Sequence, residues 1–110
     1  MNSADPRPLH DQVAAALRGA IASGEAPDRL PPAKEIAEML GINVNTVLRA
    51  LRELRDEGLL EFRRGRGISV NTAARGGRGE IVERLHDLVR LAEKYGVSRT
   101  EIIELIGAMR

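Results

Sequence analysis

The chain has 110 residues, 43% of them hydrophobic, with one Phe, one Tyr, no Trp and a net charge of +1. That size allows one small domain plus an appendage, with a core built from Leu, Ile, Val and Ala. With no cysteine, disulfides and thiolate metal sites are excluded; no apolar run approaches the ~18 residues of a membrane span, and no signal peptide is visible, so a cytoplasmic location is expected.

The first seven residues are polar and read as a loose arm. From Pro8, a residue suited to a first helical turn, Leu9, Val13, Ala16, Leu17, Ala20 and Ile21 recur at helical spacing until Gly24. The prolines of Glu-Ala-Pro-Asp-Arg-Leu-Pro-Pro then force a connector. A short second helix runs from about Pro32 to Leu40 and faces Ile36, Ala37 and Leu40 inward. Gly41 turns the chain into a third helix, which Asn43 caps and Gly58 ends. On that helix Val47, Ala50, Leu51 and Leu54 share one face with Val44 at its margin, while Asn45, Arg49, Arg52 and Asp56 project from the other. This is a helix-turn-helix.

The segment Leu59 to Val70 reads as a two-stranded ribbon, with Leu60, Phe62, Ile68 and Val70 inward and Gly65 and Gly67 at a tight tip. Three helices and this ribbon make a winged helix over residues 1–71. Residues 72–79, rich in glycine and small side chains, are expected to form a linker or hinge. Beyond them, residues 80–110 read as an αα-hairpin. Ile81, Leu85, Leu88 and Ala92 form a heptad-like seam, widened by Val82 and Val89. Gly96 ends that helix, and Ser98 and Glu101 match a capping box before Ile102, Ile103, Leu105, Ile106 and Met109. Roughly 30 residues are too few to bury a core alone. The seam, with Ile102, Ile106 and Met109, is therefore expected to meet the same hairpin of a second subunit; packing on its own winged helix is the alternative. The fold class is mostly α with a small β ribbon (α+β).

Residues 62 to 79 hold Arg63, Arg64, Arg66, Arg75 and Arg78 with no acidic residue, a local basic segment on a nearly neutral chain. Beside an amide- and guanidinium-bearing helix, it points to double-stranded DNA. Lys34 and Thr46 suit phosphate. Asn43 is expected to act mainly as the cap, and Asn45 to read adenine at the groove end of the helix. Arg49 and Arg52 can meet guanine or phosphate and can also pair with Glu53, Asp56 or Glu57, since such exposed pairs are weak and exchange easily. Leu48 flanks this ridge and is placed either to meet a thymine methyl or to lie beneath the wing. Arg63, Arg64 and Arg66, with Gly65 and Gly67 allowing close approach, suit the minor groove. His10 and His86 lie on separate helices with no nucleophile, phosphate loop or metal spacing around them, so no catalytic residue, metal or cofactor is expected.

Leu30-Pro31, Lys34-Glu35-Ile36-Ala37, Leu40 to Val47, Glu57-Gly58-Leu59 and Arg63-Arg64-Gly65-Arg66-Gly67 together resemble the GntR family of bacterial transcription regulators, in its short YtrA-like branch. Val44 and Leu48 stand where many members carry arginine, which agrees with that branch. The resemblance implies a winged helix binding operator DNA as a homodimer, with a short helical hairpin replacing a ligand-binding domain, and repression as the usual outcome. No small-molecule effector is indicated. Competing readings are a winged helix used for protein–protein assembly and a non-specific nucleic-acid binder.

Overall fold

The fold is described from a computed structural model over residues 4–110. It contains α1 (Leu9–Ser23), α2 (Ala33–Leu40), α3 (Val44–Asp56), β1 (Leu60–Arg63), β2 (Gly67–Val70), α4 (Gly79–Lys94) and α5 (Arg99–Ala108). The expected mostly helical α+β fold is the one observed, as a three-helix bundle with a hairpin wing and two further helices. Of the arm expected at the N-terminus, residues 1–3 lie outside the described residues, and residues 5–7 are not loose. Gln12 donates to the Arg7 carbonyl at 3.0 Å, and the Asp5 carboxylate accepts from the Arg7 backbone and guanidinium. Those bonds favour its ionised form and hold the carboxyl down at about 2.

Apolar periodicity drives the bundle together. Ile21 of α1, Ile36 and Ala37 of α2, and Val47, Leu51 and Leu54 of α3 meet Leu59, Leu60 and Val70 in one buried cluster. A second cluster sets Val13 and Ala14 of α1 against Ala50 of α3, and Leu17 and Ile42 join the two. Within α1, Ala14 takes the inward place and Ala16 is exposed, because the buried stripe follows Val13, Leu17 and Ile21 and widens on the Ala14–Arg18 side. Leu40 is also exposed, where an inward position was expected. It is the last residue of α2, and Gly41 turns the chain away there with φ +66°.

The wing is an antiparallel pair in the register Leu60↔Val70, Glu61↔Ser69, Phe62↔Ile68 and Arg63↔Gly67. Only its base reaches the core. Leu60 and Val70 are buried, whereas Phe62, expected inward, is 37% exposed two residues nearer the tip. Its ring is covered instead by the Arg55 guanidinium, 5.0 Å from the centroid, a cation–π contact. The connector before α2 lies along the other edge of β2. Leu30 N–H donates to the Ile68 carbonyl at 2.9 Å, and Val70 N–H to the Asp28 carbonyl at 2.8 Å.

Residues 72–79, expected as a linker, are a packed helical turn kinked at Gly76 and Gly77, the latter with φ +111°. Ala74 is buried in the main cluster. Arg78 donates to the Glu57 carbonyl at 3.1 Å, and Arg75 binds the Ala26 carbonyl and Asp28. Past the kink, α4 starts so close to α1 that a Cβ on Gly79 would sit 3.2 Å from the Ala74 carbonyl and 3.4 Å from Ala22 Cα. A side chain there would push its neighbours back by a few tenths of an ångström, so glycine suits that approach. The consequence is that α4 docks on its own winged helix along one side. Val82, expected to widen the outer seam, packs on the core cluster, and Val89 is half-buried.

Candidate nucleic-acid interface

Asn43 caps α3: its side-chain oxygen accepts from the Asn45 N–H at 2.7 Å, as its extended backbone before the first helical residue allows. With Val47, Ala50, Leu51 and Leu54 committed to the core, the opposite ridge of α3 carries Asn45, Arg49 and Arg52, all exposed. Pairing of Arg49 and Arg52 with neighbouring carboxylates, expected as a role that could coexist with DNA contact, is not seen among the described residues. Glu53 and Glu57 face Arg18 at 3.6 and 3.0 Å, and Asp56 faces Arg55 at 3.3 Å. Among the described residues, neither Arg49 nor Arg52 has an ion-pair partner. Thr46 is half-buried on the first turn of α3, at the positive end of the helix dipole. Leu48, on the opposite flank of the ridge, is half-buried too. Lys34 is exposed in the first turn of α2.

At the wing the five arginine and glycine positions divide. Gly65 and Gly67 adopt φ +79° and +77°, and Arg66 N–H closes the turn on the Arg63 carbonyl at 3.0 Å. Arg63 leans back to Glu61 at 2.9 Å. The side chains of Arg64 and Arg66 are exposed and have no carboxylate partner among the described residues. Two uncommitted cations therefore stand at the tip.

Sequence reasoning missed a polar junction behind α3. Arg18, 3% exposed, reaches from α1 and binds both carboxylate oxygens of Glu57, at 3.0 and 3.1 Å, and His86 of α4 binds Glu57 as well. One sequence signal was available, since Arg18 falls on the apolar stripe between Leu17 and Ile21. The His10 imidazole, near the start of α1, is largely covered and lies 3.1 Å from Asp11. His10, Asp11 and Glu53, and separately Glu53, Glu57 and His86, bring ligand-type atoms within 4.8 Å of one another. The guanidinium of Arg18 already supplies the positive charge these glutamates require.

The tail presents what α4 does not bury against α1. Ile81, Leu85, Leu88, Leu91 and Tyr95 are exposed along α4, as are Ile103, Leu105, Ile106 and Met109 on and just after α5. Ile102 is half-buried. Ala92, expected in the outer seam, is buried within the chain, where the α4–α5 turn folds over it and Val97 N–H donates to its carbonyl at 2.8 Å. Ser98 caps α5 by accepting from Glu101 N–H at 3.1 Å; no return bond from the Glu101 side chain is seen among the described residues.

The family profile described as "Bacterial regulatory proteins, gntR family" matches residues 9–70, the span from α1 to the end of the wing. The chain belongs to the GntR family. It is 35% identical over 112 residues to the HTH-type transcriptional repressor YtrA of Bacillus subtilis, covering 93% of this chain and 86% of that protein. It is 43% identical over 67 residues to the probable rhizopine catabolism regulatory protein MocR of Rhizobium meliloti, covering 59% of this chain but only 14% of that one. Among solved structures it resembles YtrA from Sulfolobus acidocaldarius, a GntR-family transcription factor, with TM-score 0.62 and 29% identity over 97% of this chain and 91% of that one. These relatives are transcription regulators, not enzymes, and GntR membership makes this chain a DNA-binding regulator. The likeness to YtrA continues past the wing and takes in the tail as well. Among the described residues, no helix is long and apolar enough to cross a membrane.

Proposed function

We propose that this GntR regulator is a cytoplasmic, homodimeric repressor that binds a palindromic operator, with α3 in the major groove and the wing at the minor groove. The observation that carries the reading is the uncommitted ridge of α3. Three carboxylates, Glu53, Asp56 and Glu57, lie within reach on or near this helix, yet each is turned elsewhere, leaving Asn45, Arg49 and Arg52 open. Amides and guanidiniums in that state suit base edges, which present paired donors and acceptors. Asn43, Thr46 and Lys34 serve phosphate, the first with the amide left over from its capping role. Repression follows the habit of relatives such as YtrA.

Asn45→Ala and Arg49→Ala should each weaken binding to the preferred site by about 1–3 kcal/mol and relax preference at one base pair per half-site. Thr46→Ala should lower affinity without altering preference. Selection from a random duplex library, repeated with each variant, checks this. Profiles identical to wild type for Asn45→Ala and Arg49→Ala would remove the ridge as the reading element.

The wing should contribute affinity more than sequence choice, because two flexible cations on a hairpin tip recognise phosphate or groove potential. Arg64→Ala with Arg66→Ala should weaken binding to operator and scrambled duplex alike and reduce the salt slope by about one for each lost phosphate contact. A salt titration with an unchanged slope would mean that these arginines do not touch DNA.

A further inference from the structure

Arg29, in the connector between α1 and α2, reaches across to the wing. Its Nε donates to the carbonyl oxygen of Arg66 at 2.8 Å, and its Nη2 donates to the same oxygen. The backbone beneath is in register, since Arg29 bridges to Ser69 and the flanking residues bond to Ile68 and Val70. The wing itself has little to hold its end in place. Its strands have four residues each, only Leu60 and Val70 are buried, and an isolated two-stranded hairpin is marginal in water. The Arg66 carbonyl belongs to the tip turn that carries Arg64 and Arg66, and a guanidinium fork on it restrains the direction in which both side chains leave the turn.

We infer that Arg29 is a positioning residue for DNA binding: it clamps the wing tip to the connector through the Arg66 carbonyl and so pre-orients Arg64 and Arg66. This deepens the proposed DNA-binding role and rests on it. A fixed tip loses less conformational freedom on binding than a mobile one, which raises affinity without a new contact to the ligand. The planar fork matters, because lysine at this place keeps the charge but offers a single ammonium in place of two aligned donors. Asp28 and Ser69 line the same shallow cleft. Asp28 is already paired with Arg75, so Arg29 is not drawn away to it.

The test compares Arg29→Ala and Arg29→Lys in two measurements. In the free protein, amide hydrogen exchange at Arg66 and Gly67, whose N–H groups face Arg63, should accelerate about tenfold in both variants, as expected for loss of a charge-assisted bond worth about 1.5 kcal/mol, while core amides of α3 keep their rates. On a selected operator, both variants should bind several-fold more weakly, with the Lys variant retaining the wild-type salt slope. Wild-type exchange and affinity in Arg29→Lys would overturn the clamp and leave a charge effect. Faster exchange throughout the core would overturn it in favour of a general structural role. If the wild-type protein selects no duplex, the DNA reading fails, and the exchange measurement still decides whether the tip is clamped.

Discussion

Replacing Glu57 by alanine should lower the free energy of unfolding by about 3 kcal/mol, because it strands a buried guanidinium. Arg18 is almost wholly buried, and the Glu57 carboxylate that receives both its donors is only 15% exposed. The remaining carboxylate, Glu53, stands at 3.6 Å and is 32% exposed, open to solvent competition, so it offsets only part of the loss. His86 loses its partner in the same step, which loosens α4 from the end of α3. Glu57→Gln keeps an acceptor for one of the two donors and should cost less than the alanine variant. Urea unfolding at one fixed protomer concentration measures the difference, since an oligomer's stability depends on concentration. A loss below about 1 kcal/mol for Glu57→Ala would mean that Arg18 finds water or Glu53 without penalty, and the junction would not be a stability element.

Leu88→Glu should convert the protein to a monomer and lower operator affinity by about 100-fold or more, the loss expected when two linked half-site contacts become independent. Leu88 lies on the outer face of α4 and is 40% exposed in the single chain, so a charge there leaves the chain's own core intact. In a subunit interface the same charge would be desolvated without a partner. The substitution is cleaner than removing residues 80–110. Truncation would strip Val82 from the core cluster and disturb the winged helix along with any dimer contact. Sedimentation of Leu88→Glu, with circular dichroism to check folding, reads the result. A folded variant that remains dimeric would put the interface somewhere other than the outer face of α4.

Much of this protein is written locally. The periodicities of α1 and α3, the Asn43 cap, the glycine tip of the wing and the Ser98 cap each depend on residues within one or two turns of chain, and all are present. The ridge of Asn45, Arg49 and Arg52 was legible for the same reason: once the apolar stripe fixes which way α3 faces, the opposite side chains have only one direction left. What tertiary structure alone decided lies between elements distant in sequence. Arg18 is separated from Glu57 by 39 residues and Arg29 from Arg66 by 37, and no local pattern pairs them. The division of α4 was also outside the reach of its sequence. A heptad seam and its widening valines look alike to a periodicity argument, but Gly79 lets the helix lie against α1, so Val82 turns inward and Ile81, Leu85 and Leu88 are left outside. Phe62 was misplaced for a related reason. Alternation along a strand says which face a side chain takes, whereas burial depends on how far the neighbouring layer extends, and here the core stops short of the tip.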